Sequence, residues 1–135
     1  MLTWRRTLIA AAFLALAVPA QAQSRRDDLV ALSHVLGESQ ALREACEGRK
    51  DQQWRSRMMR MLALEGVEGA AAGPYNAAFT AGYAAARQAH PECSPYSRRA
   101  ELVAAERGEA LAAALAGPSL AAAPSDDIGA PPEPR

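Results

Sequence analysis

Apolar residues recur at helical spacing in four segments of the chain, and the first runs from Asp27 to Cys46. Its leucines recur at helical spacing, which marks one face of an amphipathic helix: Leu29, Leu32, Leu36 and Leu42. The stretch "SRRD", residues 24–27, resembles a capping box with Asp in the usual place of Glu, and it predicts that the helix starts there. Gly37 interrupts the helix and lowers its propensity by about 1 kcal/mol relative to Ala, so we expect it to mark a close helix crossing.

The second segment, "QQWRSRMMRMLALE", follows the turn "EGRKD". One face carries the apolar residues together with one glutamate: Trp54, Met58, Met61, Leu62 and Glu65. The arginines of this segment, including Arg55, fall mainly on the opposite face. Asp51 is predicted to cap the helix, and Gly66 is predicted to end it.

The third segment, Tyr75 to His90, carries two stripes with a four-residue spacing. Tyr75, Phe79 and Tyr83 form an aromatic stripe, which is more typical of a core than of a ligand platform. Ala78, Gly82 and Ala86 form a smooth side that another backbone can approach. Gly82 is therefore predicted to be a helix contact and not a hinge.

The fourth segment is predicted to begin with Ser94 as N-cap and Pro95 at the first helical position. Four residues are predicted to face the core: Ala100, Val103, Leu111 and Leu115. Gly117 and Pro118 end the helix, and no stretch alternates like a strand. The sequence therefore predicts an all-α fold, an antiparallel bundle of about four helices.

The two ends of the chain have different compositions from the middle. Arg5 and Arg6 precede the apolar run "TLIAAAFLALAV" and the small residues "AQA", the pattern of a secretory signal peptide. The run is shorter than the roughly 20 residues of a transmembrane helix, so we predict cleavage between Ala22 and Gln23 and no membrane anchor afterwards. The general secretory route and the twin-arginine route both stay open. From Gly117 the chain is rich in Pro and Ala, which predicts a disordered tail. The predicted domains are a signal peptide over 1–22, a helical domain over 23–116 and the tail over 117–135.

The only two cysteines, Cys46 and Cys93, are predicted to form a disulfide. In an up-down-up-down bundle both lie at the same end, and export places them in an oxidising compartment. Closing this loop contributes about 4 kcal/mol in the chain-entropy model. A metal site with His90 remains an alternative, although a closed zinc site needs a fourth ligand. C-x-x-C and C-x-x-C-H are both missing from the sequence, which argues against thioredoxin-like exchange and against covalently attached haem.

The composition excludes some function classes. The formal net charge is zero and becomes slightly negative without the leader, so a nucleic-acid partner is not expected. Catalysis usually needs a nucleophile with a base, a carboxylate pair or a metal. His34 and His90 are the only histidines, and the serines lie mostly in predicted caps, turns and the tail. We therefore predict a non-enzymatic protein without a cofactor; the pattern carries no indication of oligomeric state.

An ordered set of motifs resembles a known family. The motifs are "LG" at Leu36, "ALREAC" ending at Cys46, "WRSRM" from Trp54, "FTAGY" from Phe79 and "CSP" from Cys93. Together, over about residues 29–109, they resemble short secreted alphaproteobacterial proteins that are classified only as a domain of unknown function. Ala86 stands where members tend to carry a further aromatic residue. The resemblance implies a Gram-negative envelope, hence the periplasm, and it implies no reaction, cofactor or site residue.

Two function classes follow, with five candidate structural or interaction positions: Trp54, Arg55, Phe79, Gly82 and Tyr83. The first class is an interaction or accessory module of the cell envelope with an unidentified envelope protein as partner. The alternative is a carrier of a small ligand or metal in the bundle interior. A filled core favours the first class, and an enclosed cavity beside Gly37 and Gly82 favours the second.

Overall fold

A computed structural model of the chain describes residues 20–117, which are helical and contain no strand. The helices are α1 (Ala20–Glu47), α2 (Gln53–Leu64), α3 (Gly73–Ala89) and α4 (Pro95–Ala116), with a short 3₁₀ turn over Gly69–Ala72 before α3. The predicted all-α class is confirmed. The predicted signal peptide, apart from its last three residues, and the predicted tail beyond Gly117 lie outside the described residues. None of the described helices combines the length and the apolar character that crossing a membrane requires.

Helix α1 is the central element, and each of the other three long helices packs against it. Arg25 of α1 contacts Leu115 of α4, whereas Cys46 of α1 contacts Ser97, so α4 runs antiparallel to α1. Arg25 also binds Glu65, and Gln40 binds the first turn of α2, so α2 is antiparallel as well. Helix α3 runs parallel to α1. The order is therefore up-down-up-down, as the short connections predicted.

Helices α1 and α3 cross in direct backbone contact at two glycines. A Cβ atom at Gly37 would lie 2.0 Å from the carbonyl oxygen of Phe79, and one at Gly82 would lie 2.1 Å from the carbonyl oxygen of His34. No side chain fits at either position, so the crossing requires both glycines. This contact also leaves no room for a cavity between the two glycines.

The core consists of two clusters that follow one another along α1. The larger one contains leucines of α1 with Met58, Leu62, Tyr75 and Phe79, and the smaller one surrounds Val35, Leu42 and Ala86. The prediction that Val103 faces the core is wrong, because its side chain is 43% exposed whereas that of Ala104 is fully buried. The α4 backbone approaches α1 closely enough that the smaller residue occupies the core position.

The ends of the helices match the sequence prediction in part. Ser94 and Ser97 form a reciprocal capping box at the start of α4, with Pro95 at the first position. After α2, the N–H of Gly66 donates to Ala63 and that of Val67 donates to Leu62, while Gly66 has a φ of 66°. This arrangement is a Schellman motif, so the predicted end of α2 is confirmed.

The predicted start of α1 is wrong. The chain is already helical at Ala20, the first described residue, so Ser24 lies inside α1 and does not act as its cap. Ala, Gln and Arg have high helix propensities, which carry the helix through this exposed segment. The predicted cleavage junction, Ala22–Gln23, lies in an exposed part of α1.

Cys46 and Cys93 form the predicted disulfide, with an S–S distance of 2.07 Å and a Cα–Cα distance of 4.7 Å. It joins the C-terminal end of α1 to the connection between α3 and α4. The connection is short, because α3 ends at Ala89 and Ser94 caps α4 directly after Cys93. The described residues therefore contain no free thiol.

Candidate binding groove

An apolar groove of about 330 Å³ lies between α2 and α4, with α1 as its floor. The floor consists of four residues of α1: Leu32, Val35, Leu36 and Ser39. One wall is formed by the large side chains of α2: Trp54, Arg57, Met61 and Leu64. The other wall is formed by small residues of α4: Ala104, Ala105, Gly108 and Ala112. Because the α4 wall carries so little side chain, α2 and α4 leave space above α1.

Two buried polar atoms of the groove lining have no hydrogen-bond partner within residues 20–117: the hydroxyl of Ser39 and the indole nitrogen of Trp54. Ser39 is only 1% exposed. By contrast, Ser33 on the same helix donates its hydroxyl to the carbonyl of Leu29 at 2.8 Å. A buried donor without an acceptor costs about 1–3 kcal/mol. The groove therefore has an apolar surface, and two unsatisfied hydrogen-bond donors are buried beneath it.

The rim of the groove carries both signs of charge. The guanidinium of Arg57 stacks on Trp54 at 4.7 Å from the ring centre, and within residues 20–117 no carboxylate forms an ion pair with it. Glu65 is held by Arg25 at 2.6 Å. Glu109 also lines the groove. The exposed Leu64 extends the apolar surface to the rim.

Next to the groove floor, the buried side chain of Gln40 caps helix α2 from α1. Its oxygen accepts the backbone N–H groups of Trp54 and Arg55, both at 3.1 Å. Its nitrogen donates to the Asp51 carbonyl at 2.6 Å and to Glu44 at 2.9 Å. All four hydrogen-bonding positions of the amide are used. Gln40 therefore fixes where α2, and with it the Trp54 wall, begins.

The prediction that Asp51 is the N-cap of α2 is wrong, since the cap position is Gln52 and the inner N–H groups bind Gln40. Asp51 acts one residue earlier. It accepts the N–H of Gln53 at 3.1 Å and the guanidinium of Arg43 at 2.7 Å. These two interactions, the backbone hydrogen bond foremost, hold the pKa of Asp51 below its usual value.

A second polar cluster lies on the α3 side of α1 near the disulfide. The phenol of Tyr83 donates to Glu44 at 2.5 Å, so Glu44 binds both Gln40 and Tyr83. Arg87 contacts the Tyr83 hydroxyl at 3.4 Å, and this hydrogen bond raises the pKa of Arg87. The cluster links α1, α2 and α3, and its members satisfy one another.

Four of the five candidate positions have structural contacts. The Arg55 guanidinium covers the buried Phe79 ring at 4.8 Å, Gly82 forms the helix crossing, and Tyr83 binds Glu44. Trp54 alone lines the groove. Sequence reasoning missed Ser39 and Gln40, because polar residues beside a leucine stripe are normally expected to face solvent. The only available signal was their place, "SQ", between two leucines of that stripe.

The histidines do not form a metal centre with other residues in the described range. His34 lies 3.4 Å from Glu38, and Glu38 also binds Arg107 of α4. Within residues 20–117, no three His, Cys, Asp or Glu side chains come together as ligands. Because Cys93 is bonded to Cys46, neither sulfur is available as a thiolate.

Comparison with known proteins reveals one relationship. No curated protein and no solved structure matches the chain significantly. A family model described as "Protein of unknown function (DUF2385)" matches residues 25–117, most of the chain and nearly all of the described helices. The matched range includes both cysteines, both crossing glycines and every lining residue of the groove. The chain therefore belongs to the DUF2385 family.

Proposed function

We propose that the protein is exported to the periplasm and acts there as a non-catalytic interaction module of the cell envelope. Its partner, an unidentified envelope protein, binds in the groove between α2 and α4. The signal-peptide pattern before Gln23 supports export. The disulfide is compatible with an oxidising compartment. The resemblance to secreted alphaproteobacterial proteins supports the envelope.

The groove carries the proposal. The α1–α3 crossing is in backbone contact. Among the described residues, the groove combines a sizeable apolar surface with an exposed apolar rim at Leu64. Apolar concave surfaces with a few polar groups are typical of binding sites. The absence of a catalytic constellation from the sequence supports a role without chemistry.

A photo-cross-linking amino acid at Leu64 tests the proposal in cells. Tyr96 is the matched control, because Leu64 and Tyr96 are both 82% exposed and only Leu64 lines the groove. We expect cross-linked envelope material from position 64 and little from position 96. Equal labelling from both positions, or none from position 64, contradicts the proposal.

The periplasmic location is tested separately by osmotic-shock fractionation and N-terminal sequencing. We expect the protein in the shock fluid with Gln23 as its first residue. Protein that stays in the cytoplasm with Met1 intact contradicts export, whatever the groove binds.

The alternative function, a small-ligand carrier, is favoured by one observation: the groove is a concave, largely apolar space of about 330 Å³. The site expected for it was the bundle interior beside Gly37 and Gly82, and that space is closed. A carrier function therefore uses the same groove.

A further inference from the structure

Helix α2 carries positive charge and no negative charge. It contains no carboxylate and three arginines, namely Arg55, Arg57 and Arg60. Among the residues that the structure describes, no carboxylate forms an ion pair with any of the three. Asp51 and Glu65 border the helix, but they are paired with Arg43 and Arg25. Because the formal charge of the whole chain is zero, α2 holds a local excess of positive charge that the net charge conceals.

The arginines of α2 are exposed. The guanidinium groups of Arg55 and Arg57 stack on the rings of Phe79 and Trp54, at 4.8 and 4.7 Å from the ring centres. This stacking orders the two side chains without neutralising their charge. The turn before the helix adds two further exposed cations at residues 49–50.

The same exposed face carries two large apolar side chains. Met59 is 67% exposed and Leu64 is 82% exposed. At about 100° per residue they lie about 140° apart around the helix, one on each side of Arg60. Only small residues, Ser56 and Ala63, share the midline with Arg60. A flat, deformable surface therefore contacts both apolar side chains at once, which a single partner helix does not.

An anionic phospholipid surface matches this face in charge and in shape. Each arginine near such a surface raises the affinity about fivefold, and a guanidinium group binds a phosphate through two hydrogen bonds. Apolar side chains beside the cations enter the boundary between head groups and acyl chains. An acidic protein supplies the same charge, but it has no fluid apolar layer for Met59 and Leu64.

We propose that the exposed face of α2 binds the surface of an anionic phospholipid bilayer. The arginines lie on the lipid phosphates, and Met59 and Leu64 insert at the level of the first methylene groups. This surface is separate from the groove, because Met59 and Arg60 do not line it and only Leu64 and Arg57 are shared at the rim. The proposal does not depend on what the groove binds.

The test reads insertion locally, so the protein is used in the form in which cells produce it, with or without its leader. An environment-sensitive fluorescent amino acid replaces Met59, and in the control it replaces Leu102, which is 63% exposed and lies on α4. Vesicles of phosphatidylglycerol mixed with phosphatidylcholine are titrated against vesicles of phosphatidylcholine alone. We expect a saturable blue shift from position 59 with the anionic vesicles only, and none from position 102. The shift should disappear at about 0.5 M salt, because salt screens the attraction.

Paired charge variants separate a specific surface from general attraction. Arg57→Gln with Arg60→Gln should raise the lipid concentration at half-maximal shift about thirtyfold, the product of two fivefold losses. Arg26→Gln with Arg99→Gln is the control, since it removes the same charge from exposed arginines outside α2 that form no ion pair within residues 20–117. We expect the control to bind nearly as the unchanged protein does.

Four results would overturn the proposal. They are the absence of a shift with anionic vesicles, an equal shift with neutral vesicles, an equal shift from position 102, and equal losses in the two charge variants. A photo-cross-linker at Met59 that captures a protein in cells and no lipid also overturns it and assigns the face to an acidic protein partner. None of these results affects the proposed function of the groove, which is tested at Leu64.

Discussion

Replacement of Gly82 by alanine gives the sharpest test of the fold. The added methyl carbon would lie 2.1 Å from the carbonyl oxygen of His34, 2.9 Å from its carbonyl carbon and 3.2 Å from the backbone nitrogen of Glu38. All three are backbone atoms of α1, so no rotamer change relieves the contact. The two helices must separate by about 1 Å to restore a normal contact distance.

The magnitude follows from two opposing contributions. Overpacking a filled contact costs about 1–3 kcal/mol, and contact with backbone favours the upper end of that range. Alanine is the better helix former by about 1 kcal/mol. The free energy of unfolding should therefore fall by about 2 kcal/mol, which lowers the thermal midpoint of a domain this size by about 8–16 °C. Gly82→Leu should be worse.

Gly108→Ala is the matched control, because Gly108 also lies inside a helix and its new methyl would meet only the side chains of Val35 and Leu32, at 3.4 and 3.8 Å. We expect this variant to gain up to about 1 kcal/mol from helix propensity. Urea unfolding followed by circular dichroism measures both variants. If Gly82→Ala raises the unfolding midpoint as Gly108→Ala does, the close crossing described here is refuted.

Further predictions concern the caps, the disulfide, pH and the tail. Gln40→Ala should lower the free energy of unfolding by about 2–4 kcal/mol, because it leaves the first N–H groups of α2 and the other buried partners of Gln40 without a hydrogen bond. The neighbouring Ser39→Ala should be neutral or stabilising, and chemical denaturation compares the two variants. Reduction, or Cys46→Ser with Cys93→Ser, should lower stability by about 4 kcal/mol, and mass spectrometry of the native protein should show one cross-linked peptide pair; free thiols in periplasmic material contradict it. The pKa of Asp51 is lowered in the folded state. Its contribution to stability is therefore fully present above the pKa of the unfolded state, about 3.9, and is lost as the pH falls through the pKa of the folded state. The thermal midpoint of Asp51→Asn should therefore fall less steeply with decreasing pH than that of the unchanged protein. Deletion of the residues from Gly117 onward should change the thermal midpoint by only a few degrees. A large fall in the midpoint would contradict the prediction that this segment is a disordered tail.

Local patterns were sufficient to predict most of the fold. The spacing of the leucines and aromatics indicated the helices, and the chain order alone placed Cys46 beside Cys93. The extent of α1 was not predictable, because an exposed helical turn at Ala20 needs only favourable propensity and no apolar pattern. Val103 was misplaced because helical periodicity leaves an uncertainty of one residue, which the close approach of α4 to α1 resolves in favour of Ala104.

The candidate site was less accessible to sequence reasoning. A groove is a space between elements, and it depends on the small side chains of α4 facing the large ones of α2, which periodicity does not reveal. Gln40 has the same difficulty: three of its four hydrogen bonds join α1 to residues 11–15 positions later, and these become recognisable only when both helices are in place.

The disulfide divides the described residues into a covalent ring and two helical arms, α1 before the ring and α4 after it. Residues between Cys46 and Cys93, which include α2 and α3, are held in the ring, whereas α4 leaves it directly after Cys93. Helix α4 has only two fully buried side chains, those of Ser97 and Ala104, and is otherwise attached to α1 by partly buried contacts and surface ion pairs. Like α2, which also buries only two side chains, α4 is therefore expected to exchange its amide hydrogens before α1 does. Because α4 also forms one wall of the groove, any local opening of this helix moves that wall relative to α1 and α2.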